Sequence, residues 1–191
     1  MPRSLSRITL CLAQVPSPLG SLLVVHDADG KLRALDFHDY APRMHRLLRL
    51  HYGEAGRDFT LVESDAPAAS REALAAYFHG EFSALDHIPV QTNGTEFQRE
   101  VWSALRRIPA GKTLSYGEVA AQIGRPKAVR AVGLANGANP IGIVVPCHRV
   151  IGANANLTGY AGGIERKRWL LRHEGAALGG GQADLWPPHG N

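Results

Sequence analysis

The tetrapeptide Pro146-Cys147-His148-Arg149 gathers a possible nucleophile, a possible base and a cation within four residues. A cysteine attacks as its thiolate, and the neighbouring imidazole, the guanidinium and a free backbone N–H at a turn after Pro146 would each favour that anion. His148 could take the thiol proton, and a carboxylate such as Glu174 could orient the imidazole, completing a nucleophile, a base and an orienter. On a strand, the side chains of Cys147 and His148 would point to opposite faces, so the proton would pass through an intervening water. Cys11 is the one other cysteine. Two cysteines are too few for a disulfide framework or a cysteine-rich zinc cluster, which leaves single-thiol chemistry. His26, His38, His45, His51, His79 and His87 fall singly, with no pair at metal-ligand spacing, and no metal or cofactor is expected.

The elements that must hold these groups are helical. Thr95-x-x-Gln98 is a capping box that opens a helix carrying Phe97, Val101, Trp102 and Leu105 and ending near Pro109-Ala110-Gly111. Ser115-x-x-Glu118 is a second capping box, opening a helix over Tyr116–Ile123; Gly124-Arg125-Pro126 stops it and starts another over Lys127–Asn136. Two short helices joined by a tight glycine-containing turn outline a helix-turn-helix. Its second helix is rich in small residues, among them Ala128, Ala131, Gly133, Ala135, Gly137 and Ala138, with Arg130 the long polar side chain in its middle. Such a face suits close packing on a core, or entry into the narrow minor groove of DNA, where shape and phosphate are read with little sequence preference. After Asn139-Pro140, the β-branched run Ile143-Val144-Val145 predicts an active-site strand, and a final helix over Ile164–Glu174 stops at Gly175.

The first third reads differently. Ile8–Val15, Leu22–His26 and Leu32–Phe37 are short apolar runs punctuated by turn residues, which predicts a small antiparallel sheet. Helices follow over Tyr40–Tyr52 and Pro67–His79. The fold class is therefore α+β: an α/β scaffold domain over 1–90, a mostly helical domain with a helix-turn-helix and the cysteine over 91–178, and a flexible tail over 179–191. Residues 1–90 hold 9 Lys/Arg against 11 Asp/Glu, whereas residues 91–191 hold 12 against 6, so the basic half is where a polyanionic partner belongs. With 45% hydrophobic and 20% charged residues, wholesale disorder is excluded. No apolar run approaches the roughly 20 residues of a spanning helix, and Ile141–Val145 is broken by Gly142 and ended by Pro146. The apolar stretch Ile8–Ala13 is too short for a secretory signal and reads as the first strand of a cytoplasmic protein.

The run Ile143-Val144-Val145-Pro146-Cys147-His148-Arg149-Val150-Ile151, with Arg130-Ala131-Val132-Gly133 and Asn139-Pro140 before it, is followed by Gly159-Tyr160-Ala161-Gly162-Gly163 and Arg172-His173-Glu174-Gly175. This ordered set, across about residues 95–175, closely resembles the O6-alkylguanine-DNA alkyltransferases, single-function type. The resemblance implies direct repair of double-stranded DNA: an alkylated guanine, or an O4-alkylthymine, is flipped into a pocket through minor-groove binding, and its alkyl group moves irreversibly onto the protein, once per molecule. By the same resemblance Cys147 is the acceptor, His148 the water-linked base and Glu174 its orienting carboxylate. Asn139 braces the turn between recognition helix and acceptor, Arg130 fills the gap left by the extruded base, and Tyr116 crowds the phosphate and bonds the flipped base. Ala131, Gly133 and Ala135 face DNA, while Tyr160, Ala161, Val150 and Pro146 wall the pocket. Ala161 stands where some relatives have a serine that bonds the substrate oxygen, and the cysteine-rich and zinc-binding variants of the family have no counterpart in this sequence. A monomer without membrane partners is expected, and cooperativity on DNA is left open. Two other readings of the residues are a helix-turn-helix regulator using Arg130 and Asn136 as base readers, and a cysteine hydrolase acting on an acyl substrate.

Overall fold

The computed structural model describes residues 8–53, 59–154 and 156–178. The expected tail over 179–191 lies outside the described residues. Among the described residues, no helix is long and apolar enough to cross a membrane.

The meander forms as the sequence predicts: β1 (Ile8–Val15), β2 (Leu22–His26) and β3 (Leu32–Phe37) pair antiparallel in succession. Asp27 closes the second turn, its Oδ1 accepting from the backbone N–H of Asp29 and of Lys31, both at 3.0 Å. The alternation of β2 divides its side chains between two cores, Leu22 and Val24 on one side, Leu23 and Val25 on the other. Met44, Leu48 and Tyr52 of α1 (Ala41–Tyr52) cover the second core. The first is continuous with the core of the C-terminal half. A fourth strand, β4 (Phe59–Glu63), adds parallel to β1 and gives the order β3-β2-β1-β4, so the sheet is mixed rather than wholly antiparallel. Its partner lies far upstream and Thr60, Val62 and Glu63 are exposed, so no local pattern announces it. α2 (Ala68–Phe78) then leads through a 3₁₀ segment, Phe82–His87, into the second half.

Both capping boxes are present. Thr95 Oγ1 accepts from Gln98 N at 3.2 Å while Gln98 Oε1 accepts from Thr95 N at 2.9 Å, opening α3 (Glu96–Arg106). After β5 (Leu114–Ser115), Ser115 and Glu118 repeat the exchange and open α4 (Tyr116–Gln122). α5 (Val129–Gly137) begins later than the expected Lys127, because residues 125–128 close a turn in which Ala128 N donates to Arg125 O at 2.8 Å. Trp102 Nε1 donates to Ala135 O at 2.8 Å and locks α3 onto α5.

The expected active-site strand is absent. Ile143-Val144-Val145 makes a buried bend instead, with Val144 N donating to Gly142 O at 2.7 Å and Val145 N to Ile141 O at 3.0 Å. Ile143 takes φ 66°, a left-handed conformation unfavourable for a β-branched residue and held by its complete burial. Cys147–Arg149 form one 3₁₀ turn, followed by β6 (Val150–Ile151) parallel to β5. The bend is joined to the free edge of β3: Leu35 N donates to Pro140 O and Gly142 N to Leu35 O, both at 2.9 Å. α6 (Ile164–His173) ends at Gly175, whose φ of 75° turns the chain away.

Candidate active site

The 3₁₀ turn sets the geometry of the tetrapeptide. With three residues per turn, neighbouring side chains diverge by about 120° rather than pointing to opposite faces. Cys147 is 5% exposed and His148 is fully buried. His148 Nε2 lies 2.8 Å from Glu174 Oε1. A carboxylate only accepts, so Nε2 carries the proton and Nδ1 keeps its lone pair. That Nδ1 is buried with no hydrogen-bond partner among the described residues. Burial also pushes the His148 pKa down, with Arg149 and Lys167 acting in the same direction against the pull of Glu174. The ring is therefore a neutral acceptor with its free nitrogen available.

Arg149 does not serve the thiol as expected. Its Nε donates to Glu174 Oε2 at 2.8 Å, its Nη2 to Oε1 at 2.9 Å and its Nη1 to the carbonyl of Ile108. Tyr77 of α2 donates its hydroxyl to the same Oε1 at 2.7 Å. Burial alone would push the Glu174 carboxyl up, but His148 and Arg149 outweigh it and hold the group far below the usual carboxylate range. The backbone N–H expected to be free after Pro146 is occupied, since Cys147 N donates to Val145 O at 2.8 Å. Burial pushes the Cys147 thiol up, and the Asn139 amide, Arg43 and Lys167 offset only part of that rise. The resting group is a thiol and not the expected anion.

Asn139 braces the bend: its Nδ2 donates to Val145 O at 2.8 Å and to Ile141 O at 3.3 Å, and its Oδ1 accepts from Ile141 N at 3.0 Å. Arg43 of α1 ties this hinge to the sheet, bonding Asp36 Oδ2 at 2.7 Å and the carbonyls of Gly137 and Asn139 at 2.8 and 2.9 Å. Beside Cys147 lies a cavity of about 10 Å³, lined by Phe37 and Asp36 from the first half and by Tyr160, Ala161 and Gly162 from the second. That is room for one water, so a purine enters only if this wall moves. Pro146 and Val150, expected in the wall, are both buried but are not among the residues that line this cavity; Val150 sits in the β5–β6 ladder with its carbonyl accepting from Lys167 Nζ at 2.6 Å. Burial pulls the Lys167 pKa down to about 8.

On α5 the helical period separates two faces. Arg130, Ala131, Leu134 and Gly137 point outward, while Val132, Ala135 and Asn136 point inward. Ala135, expected to face DNA, is therefore a core residue, 3% exposed and close to Trp102. Asn136 is buried as well, its Nδ2 3.5 Å from Cys147 O, which removes one of the two base readers a regulator would use. Leu134, 71% exposed, stands on the outward face, an apolar side chain where small residues and Arg130 were expected. Gly133 packs near the ring of Tyr116, whose hydroxyl lies 3.1 Å from Thr158 Oγ1. Tyr77, Arg149 and Lys167 were legible only as a buried aromatic, a cation and a helix-face lysine; the need of a buried hydroxyl for a partner was the one available signal for Tyr77. Among the described residues, no three His, Cys, Asp or Glu side chains gather as metal ligands.

Two family models cover most of the chain: the 6-O-methylguanine DNA methyltransferase ribonuclease-like domain over residues 11–92, and the DNA binding domain of the same family over residues 96–176. The methylated-DNA–protein-cysteine methyltransferase of Salmonella typhimurium is 54% identical over 165 residues, 86% of this chain and 95% of its own. The crystal structure of the Mycobacterium tuberculosis O6-methylguanine methyltransferase superposes with TM-score 0.71 at 42% identity, covering 87% of this chain and 93% of that one. The structure of the Mycobacterium tuberculosis OGT in complex with DNA matches at TM-score 0.71 and 41% identity, over 86% and 92% of the two chains.

Proposed function

The chain belongs to the 6-O-methylguanine DNA methyltransferase family, and on that premise we propose that it repairs duplex DNA by moving the O6-alkyl group of guanine, or the O4-alkyl group of thymine, onto Cys147. The observation that carries this reading is His148: buried, held by Glu174 through Nε2, and left with an open Nδ1 one residue from the only cysteine among the site's groups. As the Cys147 sulfur bonds the alkyl carbon, the carbon–oxygen bond breaks and its electron pair stays on the base. The thiol proton passes through a water to His148 Nδ1 and returns to the base oxygen or ring nitrogen. No step restores the thiol, so the protein acts once.

The lesion must leave the helix to reach a cavity lined by Tyr160 and Ala161, and flipping costs a few kcal/mol. Arg130, exposed on the outward face of α5, fills the space left in the duplex, with Ala131 allowing close approach to the minor groove and Tyr116 beside the flipped nucleotide. Residues 91–178 carry both the DNA face and the acceptor; residues 1–90 support them as a scaffold, and the protein works as a monomer.

Incubation with duplex DNA holding one O6-methylguanine is expected to put one methyl on the Cys147 peptide and to stop at one equivalent. Arg130→Ala should slow transfer from the duplex sharply while sparing transfer from free O6-benzylguanine, which needs no flipping. Multiple turnover, or transfer that survives Cys147→Ala, would refute the assignment; equal slowing of both substrates would move Arg130 out of the flipping step.

A further inference from the structure

Glu174 Oε1 is crowded. It accepts from Tyr77 Oη at 2.7 Å, from His148 Nε2 at 2.8 Å and from Arg149 Nη2 at 2.9 Å, whereas Oε2 accepts only from Arg149 Nε among the described residues. A carboxylate oxygen offers two lone-pair directions, so three donors on one oxygen must share them. Two of the three come from the tetrapeptide itself. The third reaches across 97 positions of sequence from α2, in the other half of the chain.

We propose that Tyr77 is a positioning residue for alkyl transfer, fixing Glu174 from the first half of the chain and limiting the hold of that carboxylate on His148. The inference rests on the alkyl-transfer reading. Its physical content is a competition: every share of Oε1 taken by the Tyr77 hydroxyl is withheld from His148 Nε2, and a weaker pull there disfavours the imidazolium and leaves Nδ1 free to accept. Among the described residues, the groups acting on His148 are Glu174, Arg149, Lys167 and the edge of Tyr160; those acting on Glu174 are His148, Arg149 and Tyr77. Tyr77 stays protonated throughout, since burial and the adjacent carboxylate hold its hydroxyl well above the usual range. Its ring is anchored by edge contacts with Phe78, Phe82 and His173, so the hydroxyl has a fixed direction.

The test uses the full chain. Tyr77→Phe keeps the ring and removes the donor; it should raise the His148 titration, followed by imidazole NMR, by about 0.5–1 pH unit. The acid limb of the single-turnover rate should move up by the same amount, which below that limb is a loss of about three- to tenfold, with duplex affinity unchanged. Replacing Tyr77 by 3-fluorotyrosine strengthens the donor and should shift both readings down; it carries the test alone if Tyr77→Phe melts early. Phe78→Leu disturbs the same aromatic cluster without touching the hydroxyl and should leave the titration in place. Unshifted His148 titrations in the phenylalanine and fluorotyrosine proteins, or an equal shift from Phe78→Leu, would reduce Tyr77 to packing. A wild-type protein that transfers no alkyl group would sink the alkyl-transfer reading, while the NMR arm still decides whether Tyr77 acts on His148.

Discussion

Cys147 and His148 meet as two neutral groups. Burial raises the thiol and lowers the imidazole, so neither carries charge at neutral pH, and in the proposed transfer the proton moves as the sulfur–carbon bond forms. His148 must be unprotonated to accept, and its pKa lies below the ordinary 6.5, so the single-turnover rate should hold level from about pH 8 down to the ordinary imidazole range and fall only beneath it. A rate that climbs steadily from pH 7 to 9 would show that preformed thiolate is the reacting species. Glu174 holds Nε2 of His148 and also neutralises Arg149. Glu174→Gln should therefore abolish fast transfer and destabilise the protein by roughly 3–5 kcal/mol in urea unfolding, because it leaves a buried guanidinium without its counter-charge.

At the level of the element, α5 is a helix with a packed side and a bare side, and substitutions on the two should behave oppositely. Ala135→Leu adds bulk where Trp102 already bonds the helix backbone, and should cost about 1–3 kcal/mol in thermal unfolding. Ala131→Glu, on the exposed side, should leave stability within about 0.5 kcal/mol yet weaken duplex binding by setting a negative charge against the phosphates. Equal effects on DNA binding from both would mean that this face is not the one that meets the duplex. The segment behind Tyr160 is similarly constrained. A Cβ at Gly162 would lie 2.6 Å from the Phe37 ring and 2.7 Å from that of Tyr160, so Gly162→Ala should push the cavity wall out of place and slow transfer without reaching α5.

Across the whole molecule, the two halves are fastened around Cys147: the bend of residues 140–142 bonds the β3 edge, Arg43 spans from Asp36 to the hinge carbonyls, and Tyr77 reaches Glu174. Global stability is therefore tied to the ionisation of the site. His148 and Glu174 both have depressed folded-state pKa values, so each contributes stability above its unfolded value that is lost as pH falls. Urea midpoints should stay level near pH 7–8, decline below about 6.5 as His148 is lost, and decline more steeply below about 4.5 as Glu174 follows, with Glu174→Gln flattening the lower limb. Asp36, raised by burial, works the other way and softens that lower limb slightly. Sequence alone determined what is local or carried by side-chain type: the three strands and their turns, both capping boxes, the stop at Gly175, and the pairing of His148 with Glu174 beside Cys147. Only the tertiary structure decided that Arg149 bonds Glu174 rather than the thiol, that Ala135 and Asn136 turn inward, that β4 runs parallel to β1, and that Tyr77 reaches Glu174. Each of these depends on which distant segment lies across from a residue, and burial, which sets the protonation of the thiol and the imidazole, exists only once those segments have closed around them.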